Sequence, residues 1–282
     1  MFPFIEVWGQ TYSTNAVLMM LLIGIALTVF TIAFRREKIS FYKHIILVSI
    51  MTGIGLVGAR LFYVLFVDTT LLRNPSLDTL FHFQGMVFYG SFLLGALCFP
   101  FVIKLLYLRS IRGTPYPCAC GRKTSPCSAS VKNRLWDLSS ILMAFSYGVL
   151  RIGCLANGCC WGRINDQPCA VVYDNPQSLM PYLGIPVHPV QLYDSLGGFF
   201  MATVLAGFYR KGLCKGNLFV LLCLFYAVIR FVTEAFRGDA FRGEDVLGWL
   251  SMSQTLSVGL FAIGLFFLIR LYPPGLYRGL RS

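Results

Sequence analysis

LWDLSSILMAFSYGVLRIGCLA, residues 135–156, is long enough to cross ~30 Å of hydrocarbon as a helix, yet it carries an arginine, Arg151, close to its end. A charge there is costly. Arg151 therefore reads as a misplaced surface residue, as the partner of an acid, or as one wall of a site that holds an anion. The motif continues beyond the apolar run as RIGCLANGCCWGR, residues 151–163, with three glycines and three cysteines.

The rest of the chain repeats the apolar signature. Of its 282 residues 56% are apolar and only 13% charged, and the mean hydropathy is positive, which excludes an ordinary soluble domain. Seven windows of about 20 apolar residues stand out, near 15–34, 44–66, 86–107, 135–156, 190–209, 216–236 and 251–272. They predict an all-α, polytopic membrane protein with seven transmembrane helices in one domain, 1–282. Glu6 precedes the first run where a cleavable signal would carry basic residues, so that run is expected to stay as a helix.

Twenty-four Lys and Arg against twelve Asp and Glu leave a net charge of +12, and placement decides what the excess means. Sixteen basic residues fall in alternate connections, among them the basic, Cys-containing loop 108–134, and four fall on the other side, including Arg163 and Arg237. By the positive-inside rule the N-terminus lies outside, the C-terminus and 108–134 in the cytoplasm, and the loop 157–189 outside. The basic excess then faces lipid, with no call for a nucleic acid.

Four basic residues remain inside helices. Lys104 can snorkel to the headgroups. Arg60, Arg151 and Arg230 each lie five or six residues before the outer end of their windows, ~8–9 Å below that boundary. Guanidinium is suited to forked recognition of phosphate, and a phospholipid phosphate is the anion always present at that depth. Glu234 follows Arg230 by four residues and shares its helical face. Tyr89 opens the third window and Gln254 the seventh. HPVQLYD, residues 188–194, opens the fifth with His188 and Gln191 on one face and Pro189 at the favoured first helical position.

Other signals are weaker. GIGLVG, residues 53–58, matches a dinucleotide fingerprint but lies inside an apolar span, so it reads as close helix packing. Cys118, Cys120 and Cys127 offer a metal three ligands and no fourth. Cys159 or Cys160 is expected to form a disulfide with Cys169, which would pin the outer loop. Asp137 is assigned to the cytoplasmic side with a role in topology.

Taken in order, GARLFYVLF (58–66), GMVFYGSFLLG (85–95), RIGCLANGCCWGR, HPVQLYD, IRFVTEAFRGD (229–239) and LSMSQTLS (250–257) resemble the prolipoprotein diacylglyceryl transferase family, seven-helix enzymes of the bacterial plasma (inner) membrane. The resemblance implies transfer of the diacylglyceryl group of phosphatidylglycerol to the lipobox cysteine of a prolipoprotein signal peptide, releasing glycerol phosphate, without cofactor or metal. It puts Arg151, Arg230 and Glu234 in the phosphate-handling machinery, with Tyr89 or His188 helping to deprotonate the thiol. Arg60, Asn157, Gly162, Arg163, Gln191, Tyr193 and Gln254 are the expected substrate-binding residues.

Several positions depart from the family's pattern. Tyr89 stands where histidine is common, Cys154 where asparagine stands, Cys159 where an acid stands, Val17 at a first-helix tyrosine, Asp194 at a glutamate and Gly238 at a proline. They describe a divergent member or a paralogue with another acceptor. A lipid or anion transporter would use the same arginines, but it would more often place its polar groups at the midplane. A thiol–disulfide enzyme would be expected to use a C-x-x-C pair, which the chain lacks.

Overall fold

The computed structural model describes residues 2–7, 9–35, 39–66, 88–108, 127–238 and 250–271. Among them are a hairpin, β1 (Phe4–Val7) and β2 (Gln10–Ser13), and seven helices: α1 (Thr14–Ala33), α2 (Phe41–Phe66), α3 (Phe88–Ile103), α4 (Cys127–Asn157), α5 (Val190–Arg210), α6 (Leu218–Glu234) and α7 (Met252–Leu271). Each helix occupies one of the seven expected windows. Five spans, α1, α2, α3 together with the helical turn Lys104–Leu108 that continues it (span Gly90–Tyr107), α4 and α7, are long and apolar enough to cross a membrane, so the chain is a helical, multi-pass membrane protein.

The apolar periodicity that fixes helices does not fix their ends. α4 begins at Cys127, so the expected loop 108–134 is helical over its last residues. Cys118 and Cys120 lie outside the described residues. The hairpin was not legible from hydropathy. It pairs Phe4 with Ser13 through Val7 with Gln10 and leads into α1, whose third-position amide (Ala16) donates to the Ser13 hydroxyl at 3.2 Å, an N-cap.

The chain divides into two compact units, one of residues 1–22 and 133–282, the other of residues 23–132. In the second unit α2 packs on α3 through glycines. A Cβ on Gly90 would lie 2.0 Å from the Gly58 carbonyl oxygen, and Ser91 donates to the Gly55 carbonyl at 2.6 Å. GIGLVG is thus a packing motif, as expected. His44 is buried between Phe30, Phe34 and Tyr107, with Nδ1 2.8 Å from the Tyr107 hydroxyl.

The first unit holds the hairpin, the start of α1, most of α4, and α5 to α7. α5 packs on α6 and α6 on α7. Large apolar side chains such as Leu196, Phe200, Ile263 and Phe266 face outward while Arg151, Asp194, Arg230 and Ser257 are buried. This polarity is what a lipid solvent selects, since hydrocarbon rewards apolar faces and penalises exposed polar groups. α4 and α5 cross closely, because a Cβ on Gly198 would lie 2.6 Å from the Gly148 nitrogen. Ser195 closes the contact by donating to the Gly148 carbonyl at 2.9 Å. Asp137 has a more specific task than topology. Buried on α4, it accepts the amides of Gly216 at 2.7 Å and Leu218 at 3.2 Å, which satisfies the start of α6, where Asn217 makes no side-chain cap.

Candidate functional site: a buried arginine network

Tyr147 and Arg151 are four residues apart on α4 and so share a face. The Arg151 guanidinium lies over the Tyr147 ring, 5.0 Å from its centroid, and Nε is 3.2 Å from Asp194 Oδ2 on α5. Asp194 is fully buried. A buried carboxylate needs a charged partner to stay ionised, and the close α4–α5 crossing supplies one. Of the readings open to Arg151, the acid's partner is therefore realised.

The second arm is built on α6 and α7. Arg230, 1% exposed, pairs with Glu234 one turn on, and its Nη2 donates to Ser253 Oγ at 3.1 Å. The Ser251 hydroxyl donates to Glu234 Oε1 at 3.2 Å, and Arg237 Nε is 3.8 Å from Glu234 Oε2. Arg230 Nη1 is buried and makes no hydrogen bond among the described residues. Asp194 lies in the field of both Arg151 and Arg230, so the two arms meet. Among the described residues, the guanidiniums of Arg151, Arg230 and Arg237 converge on the carboxylates of Asp194 and Glu234.

The loop between α4 and α5 is tied across these arms. Arg163 N donates to the Phe236 carbonyl at 2.9 Å, Gly238 N to the Trp161 carbonyl at 3.1 Å, and His188 N to the Arg163 carbonyl at 2.9 Å. Gly162 permits this approach, because a Cβ there would lie 2.4 Å from the His188 carbonyl oxygen. Arg163 Nε donates to the Arg237 carbonyl at 3.2 Å, so Gly162 and Arg163 hold the loop against the Arg237 segment. His188 precedes α5, with Pro189 as the N-cap and not the first helical residue. Its ring packs on Phe236 and Tyr193, and Nδ1 is 3.4 Å from both the Tyr193 hydroxyl and Asn165 Nδ2.

Gln191 is buried and donates to the Cys159 carbonyl at 2.7 Å and to the Tyr173 hydroxyl at 3.1 Å, so it anchors the loop. Burial pushes the Tyr173 phenol up from its ordinary range, which keeps it neutral. Asn157 ends α4, and its carbonyl accepts the Leu179 amide at 2.9 Å. Gln254 is the third residue of a capping box on α7. Its amide donates to Ser251 Oγ at 3.2 Å and its Oε1 accepts the Ser251 amide at 3.1 Å. The S-x-x-Q spacing at 251–254 is the sequence signal for that role.

Arg60 belongs to the other unit, buried on α2 with its guanidinium 5.3 Å from the Tyr63 ring centroid. Tyr89 is in the first turn of α3, and its side chain lies outside the described residues. The expected disulfide is not formed. Cys159 and Cys169 are free, and Cys169 Sγ stands 4.0 Å from the Tyr193 hydroxyl. Cys159 turns inward toward Cys154 and Cys160. Cys160 accepts from the Cys154 and Cys159 thiols, which together with Arg237 and Arg151 holds its thiol well below the usual range. Cys159 Sγ donates to the Cys154 carbonyl at 3.7 Å, and the neighbouring thiols together with burial push its thiol up.

Sequence reasoning missed Asp194, Arg237, Ser251 and Ser253. Arg237 was legible, three residues beyond Glu234 on the same face. Ser253 was not, because nothing local says which helix will face Arg230.

Comparison with known proteins gives the network its context. The prolipoprotein diacylglyceryl transferase family model matches residues 8–114 and 127–270. A phosphatidylglycerol–prolipoprotein diacylglyceryl transferase of Clostridium tetani is 29% identical over 255 residues, 88% of this chain and 89% of that protein. Proteins of the same name from Solidesulfovibrio magneticus, 32% identical over 80% of this chain and 77% of that one, and Polynucleobacter asymbioticus, 34% identical over 76% and 72%, are similar along most of their length. With its arginines and acids in the motifs that suggested the family, the chain belongs to the prolipoprotein diacylglyceryl transferases.

Proposed function

We propose that the chain is the transferase its relatives' names describe, moving the diacylglyceryl group of phosphatidylglycerol to the lipobox cysteine of a prolipoprotein and releasing glycerol phosphate. The observation that carries this reading is Arg230, a buried guanidinium with one Nη held by Glu234 and Ser253 and the other without a hydrogen-bond partner among the described residues.

In this reading the phosphate takes the unused N–H groups of Arg230 while Asp194 and Glu234 hold the guanidiniums in place. Asn157, Gly162, Arg163, Gln191, Tyr193 and Gln254 shape the wall around the lipid. The acceptor thiol loses its proton, with His188 assisting, and its sulfur attacks the glycerol carbon that bears the phosphate. The C–S bond forms as the C–O bond breaks, and the electron pair leaves on the phosphate oxygen. Fixed guanidiniums stabilise that charge with no reorganisation, commonly the largest catalytic term. The protein works in the bacterial plasma membrane, with seven spans and the N-terminus outside.

The test is release of glycerol phosphate from phosphatidylglycerol by purified protein given a lipobox peptide. Arg230→Lys keeps the charge but loses the fork, so kcat/KM should fall by about 2 kcal/mol or more, roughly 30-fold. Arg210→Lys, on an exposed helix end, should leave the rate unchanged. Equal effects from the two variants contradict the assignment.

A further inference from the structure

Cys154, Cys159 and Cys160 bring their three Sγ atoms within 4.8 Å of one another, and neither the ion-pair network nor the transfer just described uses them. The backbone makes the cluster. α4 ends at Asn157, and Gly158 turns the chain in the left-handed region at φ +72, where a Cβ would lie 1.9 Å from Ser178 Oγ. The Cys159 amide then reaches back to the Cys154 carbonyl at 3.1 Å. Cys160 is itself left-handed, at φ +60. That conformation costs a non-glycine residue on the order of 1 kcal/mol, and such strain persists where surrounding structure over-determines it.

We propose that these three thiols hold a zinc ion whose fourth coordination position receives the acceptor thiol. Three sulfurs sharing one zinc at Zn–S of about 2.3 Å stand about 3.8 Å apart, so the thiols need to close by less than about 1 Å from the largest separation given by their cluster. Thiolates select soft ions such as zinc, and three protein ligands with one open position is the arrangement of catalytic zinc. Arg151 and Arg237 both act on Cys160, so guanidiniums offset part of the thiolates' negative charge. The same two arginines belong to the buried network, which sets the cluster beside the proposed lipid phosphate.

The step balances. The incoming thiol binds zinc and gives its proton to His188, the base assigned above, because a coordinated thiol is deprotonated outright. Its sulfur then forms the C–S bond while the C–O bond breaks toward the phosphate, and the resulting thioether, a poorer ligand, leaves. This role rests on the transferase reading, but the metal site itself does not.

The experiment starts from protein purified in detergent under reduction, without chelator, in a background where Cys118, Cys120 and Cys127 are all serine. Metal analysis should find about one zinc per chain. Cys159→Ser with Cys160→Ser should bring it to background, and Cys169→Ser should leave it. Should the serine variants fail to fold, Cys154→Asn with Cys159→Glu restores the residues the family pattern carries at both positions and should also lose zinc. In cobalt-substituted protein a lipobox peptide should strengthen the thiolate-to-metal band, and the same peptide with serine for cysteine should not. No zinc, copper in its place, or a disulfide among the three thiols overturns the proposal. Full transfer by zinc-free protein overturns the thiol-activating role and leaves the transferase reading standing. Zinc binding with no transfer to any lipobox peptide overturns the transferase reading and leaves the metal site.

Discussion

At the scale of single residues, the site depends on charges that keep one another buried. Asp194 is fully buried beside Arg151, and removing one partner of such a pair strands the other, at a cost of about 3–5 kcal/mol. Asp194→Asn keeps the shape and deletes the charge. It should lower the thermal unfolding midpoint in detergent and release Arg151 from its place over Tyr147. A midpoint equal to that of the parent protein would show that the pair contributes nothing to the fold. The arginines and Glu234 were legible in the sequence because an intramembrane charge is conspicuous by its cost. Their partners were not, because Asp194 and Ser253 reach the arginines across 43 and 23 positions of sequence and only the packing of the helices pairs them.

At the scale of elements, glycines set the helix separations that make those pairs possible. A Cβ on Gly198 meets the backbone of Gly148 at 2.6 Å, whereas a Cβ on Gly207, further along the same helix, meets nothing within 4 Å. Gly198→Ala should therefore push α5 off α4 and cost about 1–3 kcal/mol by overpacking. Gly207→Ala should be neutral or should stabilise the helix by about 0.5–1 kcal/mol. Melting curves of both variants decide it, and a Gly198→Ala protein as stable as Gly207→Ala would contradict the crossing. GIGLVG announced one such contact by its spacing, but Gly148 and Gly198 lie in different helices and no spacing in the sequence joins them. The capping box at 251–254 was likewise present in the letters, and Gln254 drew a substrate-binding role because its polarity at a helix start admits both.

At the scale of the whole molecule, apolar length located all seven helices, but five qualify by hydropathy as spans. α5 opens with the polar residues of HPVQLYD and α6 is only 17 residues long, so the residues that build the site dilute the signal that marks a span. The sixteen basic residues in one set of connections against four in the other predict an orientation with the N-terminus outside. Cys169, exposed and free, should react with a membrane-impermeant thiol reagent on intact cells while Cys120 is spared; the reverse labelling would invert the topology. The central claim is the reaction, and its most direct measurement is the mass of a lipobox peptide after incubation with purified protein and phosphatidylglycerol. The account predicts a thioether-linked diacylglyceryl group on the cysteine, absent with Arg151→Ala and with Glu234→Ala. An unmodified peptide from protein that binds the lipid would contradict it.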